Sequence, residues 1–205
     1  MKPNGKIKLL FATKNQHKVS EVNKIFNSKY FEILSLTDFA GIPDIEETGK
    51  TFEENALIKA TVIYDKSGIP VIADDSGLAV EQLNGEPGVY SSRYAGEDAS
   101  DSENNAKLLE KLSGMPKPHK AKFVCAAVYY DGQNKFTVTG ELHGEIIGQQ
   151  RGNNGFGYDP LFVPTGYSKT LAELKPEEKN KISHRAKAFG KLEKILIAKF
   201  FDEKE

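Results

Sequence analysis

The sequence predicts an α/β fold, and three observations carry that expectation. The chain opens on a short apolar strand, a polar turn, an amphipathic helix and a second strand, the order of a βαβ unit. A second helix, with its own cap, then leads into another short apolar strand. Beyond residue 120 the pattern changes to strands joined by tight turns, which reads as a second lobe on one continuous sheet system.

In chain order, Ile7-Lys8-Leu9-Leu10-Phe11-Ala12 has the composition of a mostly buried strand. Thr13-Lys14-Asn15-Gln16 is its polar turn. Val19, Val22, Ile25 and Phe26 then fall at helical spacing, with Lys18, Glu21 and Lys24 outside. Phe31 to Leu36 is the second strand. Gly41 to Lys50 is a loop, acidic at Asp44, Glu46 and Glu47. Thr51 with Glu54 has capping-box form and predicts a helix from Phe52 to Ser67. That helix should bury Phe52, Ala56, Ala60, Ile63 and Tyr64, and Gly68 should stop it. Ile69 to Ala73 is a short central strand ending in Asp74-Asp75-Ser76-Gly77, after which Leu78-Ala79-Val80 resumes the apolar pattern.

Asn84 to Gly96 is a structured loop, rich in Gly and Tyr. Ser100 with Glu103 is a second capping box, opening a helix to Leu112. Lys122 to Tyr130 is a strand, Asp131-Gly132 a hairpin signal, and Phe136 to Thr139 and Gly144 to Gly148 further strands. Arg151 to Pro160 is a loop rich in Gly and Asn, followed by the strand Leu161 to Val163. Leu171 to Lys181 reads as a short helix and a charged loop. Ser183 caps a last helix running to Phe201, with Ala188, Leu192, Ile195, Leu196, Lys199 and Phe200 as its inner face.

Composition narrows the class further. A chain of 205 residues fits one domain with two lobes, and no linker separates them. Lys and Arg number 28 against 29 Asp and Glu, so the chain has no general attraction for nucleic acid or anionic lipid, and a phosphate ligand needs a local site. The single cysteine, Cys125, excludes an internal disulfide and a cysteine-rich zinc cluster. No apolar run approaches the ~20 residues of a membrane helix. A cytoplasmic protein is expected.

Five segments carry chemistry. Thr13 to Lys18 lies between a strand and a helix start, where unpaired N–H groups suit phosphate; the plainer reading is a cap with a solvated Lys18. Asp74-Asp75 sits at a strand end, where α/β sheets bind ligands; the plainer reading is a turn. The acidic loop precedes a helix bearing Lys59; Asp75 with one of its Glu residues would satisfy magnesium, or the loop is a solvated face. Gly155-Phe156-Gly157-Tyr158-Asp159-Pro160 offers an aromatic face for a base, or is a Gly-rich turn burying its aromatics. Lys179 to Ala186 places His184 and Arg185 in a helix's first turn, against its dipole. That hints at an anionic or acceptor-rich ligand, or is a solvated basic run. Together they are the parts of a magnesium–nucleoside triphosphate site.

In this order the segments resemble the inosine/xanthosine triphosphate pyrophosphatases. The matching stretches are Thr13-x-Asn15-x-x-Lys18, Glu46-Glu47-Thr48-Gly49, Thr51-Phe52-Glu53-Glu54-Asn55-Ala56, Ala73-Asp74-Asp75-Ser76-Gly77-Leu78, Pro87 to Tyr94, Gly155 to Pro160 and Ser183-His184-Arg185. Lys14 departs from the small residue common there.

The resemblance implies an elongated α/β fold with two lobes around a central mixed sheet, the active-site cleft between the lobes, one domain over residues 1–205, and a homodimer. It implies hydrolysis of ITP, dITP and XTP to the monophosphate and pyrophosphate with Mg2+, which removes deaminated purines from the nucleotide pool. Carried over by residue, Asp75 is the catalytic acid/base and a metal ligand, and Glu47, rather than Glu46, is the second metal carboxylate. Thr13, Lys14, Asn15, Gln16, His17, Lys18 and Lys59 contact the triphosphate, and Ser76 the substrate. Phe156, Gly157, Tyr158, Asp159, Lys179, His184 and Arg185 read base and sugar. An aspartyl-phosphate phosphatase usually needs Asp-x-Asp, which the adjacent Asp74-Asp75 is not. A binding module without catalysis has no need of a strand-end acid beside a metal.

Overall fold

A computed structural model describes residues 5–39 and 45–201. Asp44 and Gly41, the start of the acidic loop, lie outside the described residues. Six strands form one mixed sheet in the order β2-β1-β3-β4-β5-β6. They are β1 (Ile7–Phe11), β2 (Phe31–Ser35), β3 (Val71–Val80), β4 (His119–Tyr130), β5 (Lys135–Ile146) and β6 (Phe162–Pro164). The helices are α1 (Gln16–Ile25), α2 (Phe52–Ser67), α3 (Asp101–Leu112), α4 (Pro176–Ile182) and α5 (His184–Phe200). The chain divides into two compact units, residues 1–75, 125–140 and 185–205 in one, and 76–124 and 141–184 in the other.

In the first unit β1 pairs in parallel with β2, Ile7 opposite Phe31, and with β3, Leu10 opposite Val71. Residues alternate across a strand, and the core follows that alternation. Leu9, Phe11 and Ile72 pack with Val19 and Val22 of α1 and with Ala188, Phe189, Leu192 and Leu196 of α5. Leu10, Ala12, Val71 and Ala73 pack on the other face with Ala56, Ala60 and Ile63 of α2. The α2 capping box forms between Thr51 and Glu54, and Gly68 ends the helix at φ +65°, a left-handed conformation that glycine adopts without steric cost. Phe52 and Tyr64 are only half-buried. On α5 the inner residue absent from the expected face is Phe189, whereas Lys199 is exposed, because the helical stripe runs 188-189-192-196.

The second unit has its own core, in which Leu108 and Leu112 of α3 meet Leu78, Val80, Phe123, Leu161 and Phe162. Ser100 and Glu103 form the capping box of α3. A loop through Asp131 and Gly132 joins β4 to β5, and β5 runs antiparallel to β6.

Two expectations are corrected. The strand expected over Ile69 to Ala73 does not end at Asp74-Asp75-Ser76-Gly77: β3 runs unbroken through them from Val71 to Val80. The two charges are tolerated inside a strand because side chains on each face neutralise them, as described below. Likewise Phe136 to Thr139 and Gly144 to Gly148 are not two strands, since β5 is continuous from Lys135 to Ile146.

Candidate functional site

The first unit holds a cluster of charges built around β3. Asp74 continues the row of Ile72 toward α1 and α5, and Asp75 continues the row of Val71 and Ala73 toward α2. The two carboxylates therefore serve opposite faces.

On the α2 face, Asp75 Oδ2 accepts a hydrogen bond from Asn55 Nδ2 at 3.0 Å, and Lys59 Nζ lies 3.8 Å from Asp75 Oδ1. Asn55 and Lys59 stand one turn apart, so both reach the same strand residue. Lys59 Nζ also donates to Glu47 Oε1 at 2.5 Å. Asn55 Oδ1 accepts from Gly49 N at 2.8 Å, tying the acidic loop to the helix. A Cβ on Gly49 would sit 2.6 Å from that oxygen, so the close approach requires glycine. Glu47 is half-buried, whereas Glu46 is exposed. Burial raises the pKa of Asp75; Lys59 opposes, Glu47 adds to the rise, and Asn55 and Lys18 oppose it, with a net rise. Burial disfavours the Lys59 cation, but Asp75, Asp74 and Glu47 outweigh burial and raise its pKa.

On the other face, Lys18 Nζ lies 3.2 and 3.1 Å from the two oxygens of Asp74. Arg185 Nε donates to Asp74 Oδ2 at 3.2 Å, and its Nη1 to Glu21 Oε2 at 2.6 Å. Arg185 is fully buried. A cation in the first turn of α5 opposes the helix dipole, and the compensating anions are the protein's own Asp74 and Glu21. Thr13 to Lys18 joins β1 to α1. Asn15 Oδ1 caps α1 by accepting from His17 N at 2.9 Å and Lys18 N at 3.2 Å, and Thr13 Oγ1 accepts from Asn15 N at 3.2 Å. Lys14, Asn15, Gln16 and His17 are exposed; Thr13 and Lys18 are half-buried. Ser76, the next residue of β3, is half-buried and begins the second unit.

The residues fit a hard divalent cation. Glu47 and Asp75 offer carboxylate oxygens, and Glu47 disfavours ionisation of Asp75, a repulsion that a cation relieves. Among the described residues no group of three or more His, Cys, Asp or Glu is placed to hold a metal. Such an ion would complete its shell with water and substrate oxygens, as magnesium does.

The second unit holds the aromatic loop. Asp159, buried, accepts at Oδ2 from Phe156 N at 3.0 Å and from Lys179 Nζ at 2.6 Å. Lys179 Nζ stands 4.7 Å from the Phe156 ring centroid, a cation–π contact. Tyr158 is buried, and its hydroxyl donates to Ser91 O at 2.9 Å. The glycines have different reasons. A Cβ on Gly155 would overlap the Asp159 carboxylate, while Gly157 has open space but φ +61°. His184 is buried and stacks on Phe123, ring centroids 4.8 Å apart.

The structure thus brings Lys18, Glu47, Lys59, Asp75 and Arg185 into one charged cluster, and Phe156, Asp159 and Lys179 into another. Sequence reasoning gave no role to Asn55 or Glu21. Asn55 had a signal, because an Asn one turn before Lys59 and inside a helix is disfavoured by propensity and implies a partner.

A model of the Ham1 family matches residues 9–195. The chain is 50% identical over 191 residues to a dITP/XTP pyrophosphatase of Geobacter sulfurreducens, covering 92% of this chain and 96% of that one. It is 49% identical over 199 residues to a dITP/XTP pyrophosphatase of Thermoanaerobacter pseudethanolicus, covering 97% and 100%. The solved structure of a HAM1 protein from Coxiella burnetii superposes with a TM-score of 0.86 at 41% identity, covering 93% of this chain and 98% of that one.

Proposed function

The chain belongs to the Ham1 family, and from that membership we infer that it is a nucleoside triphosphate pyrophosphatase. It hydrolyses non-standard purine nucleoside triphosphates, dITP, XTP and ITP, to the monophosphate and pyrophosphate. The observation that carries the chemistry is Asp75: a buried carboxylate of raised pKa, flanked by Glu47, Lys59 and Asn55.

Water attacks the α-phosphorus, the bond to the bridging oxygen breaks, and pyrophosphate leaves. Asp75 orients this water and accepts its proton. A carboxylate with raised pKa is a better base near neutrality than an ordinary one, at ~3.9. Glu47 and Asp75 would hold magnesium, which when bound would supply charge neutralisation for the triphosphate. Thr13 to Lys18, at the start of α1, contact the triphosphate at the positive end of the helix dipole, and Lys18 adds its charge. Lys59 steadies both carboxylates and faces the same anion, and Ser76 contacts the substrate. Phe156 to Asp159, Lys179, His184 and Arg185 read base and sugar. Hypoxanthine and xanthine offer an acceptor at O6 and a donor at N1, and adenine reverses both, so fixed donors in the site discriminate against ATP.

Residues 1–205 act as one domain in a cytoplasmic homodimer. No described helix is long and apolar enough to cross a membrane. Incubation with ITP and magnesium, followed by phosphorus NMR, tests the reaction. Pyrophosphate and IMP are the expected products; orthophosphate, or no turnover, overturns the reading.

A further inference from the structure

The loop Phe156-Gly157-Tyr158-Asp159 is held at each of its first three residues. Phe156 N donates to Asp159 within the loop, and the Tyr158 hydroxyl donates to Ser91 O. Gly157 is held from α3, a helix outside every segment assigned so far. Asp101 Oδ2 accepts from Gly157 N at 2.6 Å, and Asn105 Nδ2 donates to Gly157 O at 3.0 Å. Asp101 and Asn105 are four residues apart, so one helical face grips both polar backbone groups of the same glycine. At φ +61° the Gly157 backbone has no neighbour among the described residues within 4 Å of its Cβ position, so these two bonds, rather than packing there, fix its orientation.

Asn105 carries a second mark. It is buried, and among the described residues its Oδ1 has no hydrogen-bond partner. An apolar side chain would avoid that unsatisfied acceptor, so the bond to Gly157 is what the amide contributes. The adjacent Asn104 shows the contrast: it uses both ends of its amide, accepting from Ala95 N at 2.8 Å and donating to Ser92 O at 3.1 Å. The capping box at Ser100 and Glu103 fixes the start of α3, so both gripping side chains stand on a rigid element.

We propose that Asp101 and Asn105 are positioning residues for purine recognition, holding Gly157 so that the Phe156 ring and the loop backbone meet the base in one geometry. The proposal rests on the reading of the aromatic loop as the base subsite. Asp101 is exposed, so its substitution spares the fold. Asp101→Ala and Asn105→Ala are expected to raise KM for ITP by about 5–20-fold with kcat within about threefold. Asp101→Asn keeps an acceptor for Gly157 N and should restore KM. By calorimetry, IMP binding should weaken in the two alanine variants while pyrophosphate binding holds. Unchanged IMP binding, or equal weakening of IMP and pyrophosphate, overturns the proposal. Wild-type protein that fails to cleave ITP overturns the functional reading alone, and the IMP measurement still decides the role of α3.

Discussion

Asp75→Asn separates the chemistry of the site from its stability. The substitution keeps the shape of the side chain, and an amide oxygen can still accept from Asn55 Nδ2, now 3.0 Å from Asp75. What is lost is the base and the negative charge. Removal of a positioned general base costs about 10²–10⁴-fold in rate, or roughly 3–5 kcal/mol of barrier at 1.36 kcal/mol per tenfold. Loss of one of two metal carboxylates adds to this, so turnover should fall at least about 10³-fold. Stability should move the other way with pH. Burial raises the folded pKa of Asp75 above its unfolded value, so the folded state holds this proton more tightly. Its contribution is complete below the unfolded value and is lost as pH rises through the folded pKa. Wild-type protein therefore loses stability from this group between about pH 4 and the raised value, and the variant does not. Urea denaturation of both proteins at intervals from pH 4 to pH 8, beside ITP turnover, measures the difference. The variant should gain relative to wild type as pH rises. Turnover within about tenfold of wild type, or a relative stability that falls with pH, would refute the reasoning.

Asn55→Leu removes one hydrogen bond to a carboxylate and one from a backbone N–H, for a loss of about 2–4 kcal/mol. It should also move the acid limb of kcat/KM to higher pH, because the amide favours the ionised form of Asp75. Arg185→Ala leaves Asp74 and Glu21 without their shared cation, and chemical denaturation should show a loss of about 3–5 kcal/mol. Arg185→Ala with Glu21→Gln should recover part of that loss, whereas a loss that persists in full assigns Arg185 no compensating role. Gly155→Ala forces a Cβ against the Asp159 carboxylate at φ +78°, so the Asp159–Lys179 pair should be displaced, and steady-state kinetics should show a raised KM for ITP.

Local patterns determined much of this protein. The strand, turn and helix from Ile7 to Ile25 follow from a buried run, an Asn cap and helical spacing, all of which act over a few residues. Both capping boxes and the stop at Gly68 stand where short-range chemistry places them. The ordered segments from Thr13 to Arg185 also sufficed to indicate the family. Tertiary structure decided the rest. The local pattern ended the strand at Asp74 to Gly77, and Lys18, Asn55, Lys59 and Arg185, brought in from three helices, let a strand pass through two carboxylates. Asp74 and Arg185 are 111 residues apart in the chain, and Glu21 and Arg185 are 164 apart, so no local pattern could pair them. The same holds for the grip of α3 on Gly157, 52 residues beyond Asn105. A sequence records which side chains need a partner; the packing of α1, α2 and α5 against the strands determines which partner each finds, because buried charge is stable only where an opposite charge or hydrogen bond is already in place.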